Sequence, residues 1–450
     1  MLLWIRHIRP FEPFISSSAK MTVSPTSVLP NESISPSSRV APRRSTILVL
    51  ILALLGRLLV LKMAITGHPH DWLYNRPYEM GQLADMLVHG HGFSSPFGGS
   101  TGPTAFIAPG YPALVALVFL VFGCYSFASA IAIILSNILL NLLTLWLMMR
   151  LARGLLDNRT AIFAGVLWAV SPVLLCIPTI FWETSFSACA LLAMILLALR
   201  CRRTPTLAMW CLLGSSAALV ALVNPALLPS LVAILGWAAC QTRRVARRVP
   251  LAGLLVLLLV YAPWPVRNAR QLHAFIPMRS TVGFELWMGN RPGGTGYLDD
   301  SLFPRDNKSE LASYIAKGEV AYTRDKSDQA WQYIRQHPAI FLRLTLRRIY
   351  RFWAGTGYKD GSHLFQLHAS LTSLFGFAGL FLLYRKRRRD LVALMMLPLL
   401  LFPLPYYITH AEFRYRYNID PLMTVLAAYA VTQLAAAWFR QRERREKVRE

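Results

Sequence analysis

The chain has 450 residues, of which 55% are hydrophobic, and many apolar runs approach the roughly twenty residues that a helix needs to cross a bilayer. That composition excludes a soluble protein with one buried core. The chain carries 47 Lys and Arg against 22 Asp and Glu, but the basic residues stand in short runs beside apolar segments, which is typical of cytoplasmic loops and argues against nucleic-acid binding. The sequence therefore predicts an all-α polytopic membrane protein.

The N-terminal region, residues 1–44, is rich in Ser and Pro and is predicted to be a disordered cytoplasmic tail. The first apolar run, residues 45–65, has the sequence STILVLILALLGRLLVLKMAI. Because no convincing cleavage site follows it, we predict a first transmembrane helix and not a cleaved signal peptide. Arg57 lies deep in this run, where a charged side chain is expected to face the protein interior.

A short amphipathic helix is predicted after the first span. Asn75 and Pro77 are start signals, and Gly90 is a stop signal. Glu79 falls in the first turn, where the helix dipole and the free amides favour an ionised carboxylate, so it could accept a proton or simply satisfy the helix start. Four apolar residues at helical spacing form one face of this helix: Met80, Leu83, Ala84 and Leu87.

The stretch after this helix, residues 90–112, is rich in Gly, Pro and Ser and predicts a shaped loop over a cavity. Two histidines near its start, His89 and His91, have no further ligands at metal-binding spacing, so we predict no metal site. The six cysteines, Cys124 among them, show neither metal-ligand spacing nor a paired framework. They are interpreted as packing residues of the membrane core.

Four clusters of basic residues determine the predicted topology: residues 200–203, 243–248, 385–389 and the C-terminal tail 439–450. With these clusters in the cytoplasm, residues 66–108 and 266–363 form outer loops. The apolar run 112–123 is short for a span, so we predict about 10 to 12 transmembrane helices instead of one number. Predicted spans lie near 160–176, 186–199, 207–223, 226–240, 249–265, 364–384, 391–408 and 421–438.

The second outer loop is predicted to contain amphipathic helices. Residues 310–336 have the pattern of a soluble helix. In the segment 338–353, Arg343, Arg347 and Arg351 recur every four residues opposite apolar positions, which predicts an interfacial helix with a basic stripe. The stripe could bind a lipid phosphate or make general contacts with lipid headgroups.

The order of motifs along the chain resembles the GT-C superfamily of membrane glycosyltransferases, and within it the bacterial protein O-mannosyltransferase and aminoarabinose-transferase branch. The resemblance covers about residues 45–438, which we predict to be one transmembrane glycosyltransferase domain. The motifs are LVHGHGF, TGPTA, PGYPALVALVFLVFG, FWETSF, LVNPALL, PWPVRNARQLHAFIPMRSTVGFELWMGN, GEVAY and YYITHAEFRYRYNIDPLM.

The resemblance implies a protein of the bacterial inner membrane whose active site faces the periplasm or the outside. It implies transfer of a sugar, with inversion, from a polyprenyl-phosphate donor to a glycolipid, glycan or protein acceptor. The sequence by itself leaves the identity of the sugar and the use of a divalent metal open. Many members have an Asp-x-x-Glu-Tyr motif in the first outer loop that supplies the catalytic base. Here Arg76 stands at the Asp position and Met80 at the Tyr position. Glu79 is therefore the acid that remains, with Asp71 as the second candidate.

The departing lipid phosphate requires cationic or hydrogen-bonding partners. Arg414 and Arg416, with Tyr415 between them, stand just before the last predicted span. An Arg side chain binds phosphate through two parallel hydrogen bonds, and a Tyr hydroxyl adds a donor. These residues are the first candidates for donor-phosphate binding, and Arg279 and Arg76 are the next.

Two outer-face carboxylates, Glu183 and Glu285, stand close to Trp182 and Trp287. Such aromatic residues either belong to the interfacial belt of a membrane protein or stack against a sugar. We retain Glu183, Glu285 and Trp287 as possible substrate contacts.

Two other classes of protein stay open. A secondary transporter would normally place functional charge within its spans and show repeated halves, and neither feature is evident here. A non-catalytic glycolipid-binding or assembly protein of the same fold is compatible with the replacement of the family Asp by Arg76.

Overall fold

The computed structural model describes residues 44–67, 78–242, 248–355 and 363–449. Within these ranges the chain is helical and forms no strand; isolated β-bridges join Ser94 to Pro103 and Tyr297 to Ala411. Several predictions lie outside the described residues: the tail before Arg44, the helix-start signals Asn75 and Pro77, the candidates Asp71 and Arg76, and most of the basic cluster at 243–248.

The first ten helices of the described chain begin with the predicted first span. They are α1 (Arg44–Gly67), α2 (Glu79–Val88), α3 (Gly110–Phe122), α4 (Phe127–Leu155), α5 (Asn158–Val170), α6 (Pro172–Cys176), α7 (Thr184–Arg203), α8 (Leu207–Val223), α9 (Leu228–Cys240) and α10 (Arg248–Tyr261). Ser126 and Asp157 cap α4 and α5, because each side chain accepts a hydrogen bond from a backbone amide of the first turn.

The remaining ten include the helices of the second predicted outer loop. They are α11 (Pro263–Leu272), α12 (Val282–Gly289), α13 (Lys308–Lys317), α14 (Glu319–Gln336), α15 (Pro338–Ala354), α16 (Leu364–Arg385), α17 (Arg389–Leu401), α18 (Leu404–Ile408), α19 (Phe413–Tyr417) and α20 (Asp420–Lys447). The soluble helix predicted over 310–336 is divided into α13 and α14 at Gly318, whose φ of 75° favours glycine.

Seven helices of the described chain are long and apolar enough to cross a membrane, or eight if α5 and the segment Pro172–Thr179, bent by 63°, form one span. Three shorter apolar helices are Gly110–Phe122, Leu207–Val223 and Pro225–Cys240. The predicted all-α polytopic fold is confirmed. The total of 10 to 12 spans stays a prediction, since it requires the shorter helices to cross as well. Helix α4 is also long and apolar enough to cross a membrane, but the sequence analysis predicts no span at its position.

Small residues let the apolar helices approach closely, as is usual where there is no water to drive helix association. A Cβ atom on Gly214 of α8 would lie 2.0 Å from the carbonyl oxygen of Gly253 in α10. A Cβ atom on Gly379 of α16 would lie 2.0 Å from the carbonyl oxygen of Leu426 in α20. Alanine at either glycine would therefore force the two backbones apart.

Apart from the large core between the apolar helices, an aromatic-rich core holds α2, α3 and α12 together with α13 and α14. Glu319, in the predicted GEVAY motif, fixes the TGPTA turn against this core. Its carboxylate accepts hydrogen bonds from the Ala105 amide at 2.7 Å, the Ser280 hydroxyl at 2.8 Å and the Tyr314 hydroxyl at 2.7 Å, and also from the Thr104 hydroxyl. This buried carboxylate therefore shapes the predicted loop.

The basic stripe predicted on α15 is shorter than expected. Arg343 and Arg347 are exposed, but Arg351 is buried, donates to the Thr295 carbonyl at 3.0 Å and lies over the Tyr297 ring. Leu344, Arg348 and Arg351 form the buried face. Arg348 and Arg351 can be buried because they donate hydrogen bonds to backbone carbonyl oxygens of neighbouring segments.

Candidate active site

Glu79 begins α2, and its side chain is buried although the residue is charged. The apolar face of α2, with Met80, Leu83 and Ala84, packs into the aromatic-rich core and holds the helix start in place. Burial raises the pKa of Glu79, and the positive charge of Arg305 opposes this shift only in part. A carboxylate with a raised pKa is a stronger proton acceptor, which suits a general base.

Arg305 is the partner of Glu79 and was not foreseen from the sequence. Its Nη1 lies 3.3 Å from Glu79 Oε1, and its Nη2 lies 2.6 Å from Asp306. The guanidinium also lies 4.9 Å from the centre of the Tyr78 ring. No sequence signal pairs Glu79 with a residue so far along the chain, because only tertiary packing of the 299–307 loop brings them together.

Trp182 connects the Glu79 region to Arg414. Its ring lies 5.6 Å from the ring of Tyr78, and the Arg414 guanidinium lies 4.0 Å from the Trp182 ring centre. Arg414 Nε donates to Glu412 Oε2 at 2.5 Å. Burial opposes the charged form of Arg414, but the negative charges of Glu412 and Glu183 outweigh it and raise the pKa above its ordinary value.

The Tyr415 ring centre lies 5.5 Å from the Arg414 guanidinium, and Tyr415 also contacts two residues that the sequence did not single out. Its ring stacks on Tyr406 at a centroid distance of 4.1 Å, and its hydroxyl lies 2.6 Å from His410 Nε2. Burial and the nearby arginines Arg414 and Arg279 lower the pKa of His410 to about 3. The imidazole is therefore neutral at ordinary pH.

The remaining candidate substrate contacts lie around this group. Arg279 and Glu285 form a partly buried ion pair at 3.0 Å. Burial raises the pKa of Glu183, opposed by Arg414, and its buried Oε2 has no hydrogen-bond partner among the described residues. Trp287 is less available, because the Lys326 ammonium lies 3.6 Å from its ring centre.

Together these residues form the Glu79–Arg414 cluster: Tyr78, Glu79, Trp182, Glu183, Arg279, Glu285, Arg305, Tyr406, His410, Glu412, Arg414 and Tyr415. The structure thus brings together predicted residues from the first outer loop, the FWETSF motif, α12 and α19. A carboxylate of raised pKa, several arginines and tyrosine hydroxyls are the groups needed to activate a hydroxyl and bind a leaving phosphate.

Arg416 lies apart from this cluster, although the sequence groups it with Arg414. It donates to Thr372 Oγ1 at 2.8 Å and lies 3.5 Å from Asp420 Oδ1. Asp420 in turn lies 3.4 Å from His368 Nε2. Arg416, Asp420 and His368 line a cavity of about 20 Å³, the Arg416 cavity, which also contacts Arg351 and Glu412. A cavity of this size holds about one water molecule.

In the part of the chain that the structure describes, potential metal ligands come within reach of one another in one group of three, Asp85, His89 and Cys124. This group stands toward the other end of α2 from Glu79.

Comparisons with known proteins agree with this architecture. The dolichyl-phosphate-mannose-protein mannosyltransferase family matches residues 107–266. A comparison with curated proteins finds no significant match. Among solved structures, the apo oligosaccharyltransferase of Archaeoglobus fulgidus aligns with a TM-score of 0.54 and 13% identity, over 90% of this chain and 52% of that one.

Two further solved structures are similar. The Archaeoglobus fulgidus oligosaccharyltransferase AglB in complex with an inhibitory peptide and a dolichol-phosphate aligns with a TM-score of 0.50 and 13% identity, over 89% of this chain and 52% of that one. ArnT from Cupriavidus metallidurans bound to undecaprenyl phosphate gives a TM-score of 0.40 at 13% identity, over 86% of this chain and 78% of that one.

The chain spans about half the length of the archaeal enzymes that it resembles. At this identity the likeness concerns the fold, and the matched family agrees with the motifs in the sequence. The chain is an integral membrane protein whose fold is similar to that of the archaeal oligosaccharyltransferase structures, and its residues 107–266 match the mannosyltransferase family.

Proposed function

We propose that this protein transfers a sugar from a polyprenyl-phosphate donor to an acceptor hydroxyl, with inversion, at the outer face of a bacterial inner membrane. The observation that carries the proposal is the Glu79–Arg414 cluster, in which one buried carboxylate and three arginines meet around Trp182 and Tyr415. Each arginine already pairs with a carboxylate, so an incoming phosphate would replace one negatively charged partner of the arginine with another.

The reaction can be assigned to these groups atom by atom. The acceptor hydroxyl gives its proton to the Glu79 carboxylate as its oxygen attacks the anomeric carbon. The bond between that carbon and the phosphate oxygen breaks on the opposite face, which inverts the centre. The lipid phosphate leaves with the bonding electron pair, and Arg414 and Tyr415 stabilise its charge. Glu79 later releases its proton to water.

Two findings support a lipid-phosphate donor. The matched family is described by its dolichyl-phosphate-mannose chemistry, and one of the archaeal structures of the same fold contains a dolichol-phosphate. The acceptor and the sugar stay open, because this chain spans about half the length of those archaeal proteins.

The proposed orientation can be tested with single cysteines in a background that lacks the native ones. Ser100 is exposed in the loop between α2 and α3, and Lys386 is exposed in the basic turn between α16 and α17. Because that basic turn is predicted to be cytoplasmic, Ser100→Cys should react with an impermeant thiol reagent in intact cells, and Lys386→Cys only after permeabilisation. The reverse pattern would overturn the topology.

A second candidate, a non-catalytic glycolipid-binding protein, is favoured by one observation. Glu79 is held in an ion pair with Arg305, which would have to shift for the carboxylate to take up a proton freely. A direct assay separates the two candidates, because a binding protein retains a labelled polyprenyl-phosphate sugar without consuming it, whereas an enzyme releases the polyprenyl phosphate.

The decisive experiment is deletion of the gene in its host, followed by mass spectrometry of glycolipids, glycans and glycoproteins. We expect one product to lose one sugar residue. Complementation with the wild type should restore that sugar, and complementation with Glu79→Gln should not. Unchanged products in the deletion strain would contradict the proposed transfer.

A further inference from the structure

The second half of α2 meets the turn between α3 and α4 through three potential metal ligands. Asp85 lies in the last part of α2, and His89, four residues later, is the C-cap residue of this helix. Residues four positions apart lie on the same face of a helix. Asp85 Oδ1 is 3.2 Å from His89 Nδ1. The thiol of Cys124 comes from the turn, and the ligand atoms of all three residues lie within 4.8 Å of one another.

The turn that presents Cys124 is held in an uncommon backbone conformation. Gly123 ends α3 with a φ of 87°, and Tyr125 has a φ of 51°, which non-glycine residues rarely adopt. The Tyr125 ring lies 5.0 Å from Phe119 and presses against α2, where a Cβ atom on Gly81 would lie 3.2 Å from its hydroxyl oxygen. Close packing therefore fixes the turn, and with it the position of the thiol.

We propose that Asp85, His89 and Cys124 bind a thiophilic divalent cation of the zinc class. Oxygen, nitrogen and sulfur donors together select such a cation over magnesium or calcium, which prefer oxygen ligands alone. A carboxylate and a thiolate neutralise the two positive charges, while His89 binds as neutral imidazole. The thiol proton is released to solvent on binding, and water completes the fourth position.

The geometry requires only a small adjustment. Ligand bonds to zinc of about 2.0–2.3 Å in a tetrahedron separate the donor atoms by about 3.3–3.6 Å. Asp85 Oδ1 and His89 Nδ1 already stand at about that separation, and the Cys124 thiol lies within 4.8 Å of both ligand atoms. His89 Nδ1 also lies 3.0 Å from the Asp85 carbonyl oxygen, a contact that it would exchange for the cation. The His89 side chain is 58% exposed and that of Asp85 is 21% exposed, which gives the cation a path from solvent. The bound cation would brace the helix that begins with Glu79.

The test uses the full-length protein in detergent, stripped of metal with a chelator. Zinc uptake is measured by competition with a chromophoric indicator, and cobalt is used to detect a sulfur-to-cobalt charge-transfer absorption. We expect one equivalent of zinc and a visible thiolate band in the wild type. Cys124→Ser and His89→Ala should weaken binding by at least about 10- to 100-fold, and Cys124→Ser should abolish the band.

Matched controls are His91→Ala, an exposed histidine two residues further on, and Cys240→Ser, an exposed cysteine elsewhere. Both should retain zinc and the cobalt band. Equal zinc affinity in wild type and Cys124→Ser, or loss in the controls instead, would overturn the site.

A measurement on the wild type alone keeps the proposal testable if the variants fail to fold. Zinc should slow alkylation of Cys124, read by mass spectrometry of its peptide, and leave alkylation of Cys240 unchanged in the same sample. Equal rates at Cys124 with and without zinc would reject the site. Because none of these readouts measures sugar transfer, their outcome is independent of the proposed enzyme activity.

Discussion

Arg414 and Arg416 stand two residues apart on the five-residue helix α19, yet they serve different surroundings. Residues at i and i+2 of a helix point about 200° apart, so the two side chains extend from nearly opposite faces of the helix. Arg414 lies over Trp182 in the Glu79–Arg414 cluster, whereas Arg416 faces Asp420 in the Arg416 cavity. A motif that appears in the sequence as one phosphate-binding pair is thus divided between two regions.

The two regions also differ in what they could bind. The Glu79–Arg414 cluster contains three arginines, Arg279, Arg305 and Arg414, each paired with a carboxylate. The Arg416 cavity contains two buried Arg416 nitrogens without hydrogen-bond partners in the described structure, in a volume of about 20 Å³. The first region suits exchange with an anionic substrate, and the second suits a water molecule and a structural role. Each of the following experiments tests that division.

The largest effect is expected at Glu79. Glu79→Gln keeps the size and most hydrogen bonds of the side chain but removes the proton acceptor, so transfer should slow by roughly 10² to 10⁴ while expression and thermal stability stay near wild type. Single-turnover assays with purified protein would measure the rate.

The control for this variant is Asp325→Asn. Asp325 is a partly exposed carboxylate of α14 that pairs with Lys317. Its replacement should leave the rate unchanged. Wild-type turnover by well-folded Glu79→Gln protein would contradict the assignment, and loss of activity in Asp71→Asn would then move the base to that residue.

Arg416→Ala should act on stability instead of donor use. It leaves the Asp420 carboxylate buried without its cationic partner, and breaking such a pair costs about 3–5 kcal/mol. Thermal unfolding in detergent would show the loss, and Arg347→Ala on the exposed face of α15 should change little. Normal stability with weakened donor use would return Arg416 to the donor-phosphate role that the sequence suggests.

Arg414→Ala should weaken the interaction with a polyprenyl-phosphate sugar by about 1.5–3 kcal/mol, the range for a hydrogen bond to a charged group. Arg414→Lys keeps the charge but loses the planar fork of donors, so an intermediate effect is expected. Donor dependence of the transfer rate measures both variants, with thermal unfolding as the check on folding. Unchanged donor dependence in both would shift the phosphate site to Arg279, with Arg76 as the next candidate.

Local patterns account for what the sequence predicted well. The predicted span 364–384 is observed as the helix Leu364–Arg385, and the apolar run 207–223 forms the shorter helix Leu207–Val223, because each is one continuous apolar run beside a break. Glu79 is found in the first turn of α2, as its position before an amphipathic run indicates. The sequence also marked Arg414, since a cation beside a predicted outer span end goes against the topology bias.

The rest depends on contacts between distant segments. Arg305 reaches Glu79 across 226 positions of the chain, and Arg348 reaches the Tyr407 and Ile408 carbonyls across 59 and 60. No periodicity within either segment records such a contact. The sequence predicts Cys124 as a packing residue, and it does pack against the aromatic-rich core, but from the turn between α3 and α4, beside Asp85 and His89. A loop and helix α3 separate Cys124 from Asp85 and His89 along the chain, so the spacing of these residues does not predict that they meet.

The smallest effect is expected for the pH dependence of His410, which adjoins Tyr415 in the Glu79–Arg414 cluster. The ordinary pKa of 6.5 falls to about 3 in the folded protein, so below pH 6.5 the unfolded chain takes up a proton that the folded chain refuses. The stability that this residue contributes is complete above pH 6.5 and is lost as pH falls toward 3, by about 1.4 kcal/mol per pH unit.

His410→Gln removes this titration, so its melting temperature should fall less than that of the wild type between pH 7 and 5.5, by a difference equivalent to about 1 kcal/mol. Glu79 and Glu183, whose pKa values are raised, gain stability on acidification, but they do so in both proteins and cancel in the comparison. His337→Gln, at an exposed histidine after α14, should behave like the wild type. Parallel melting curves for wild type and His410→Gln at every pH would show that the imidazole is not held neutral by its buried position beside Arg414 and Arg279.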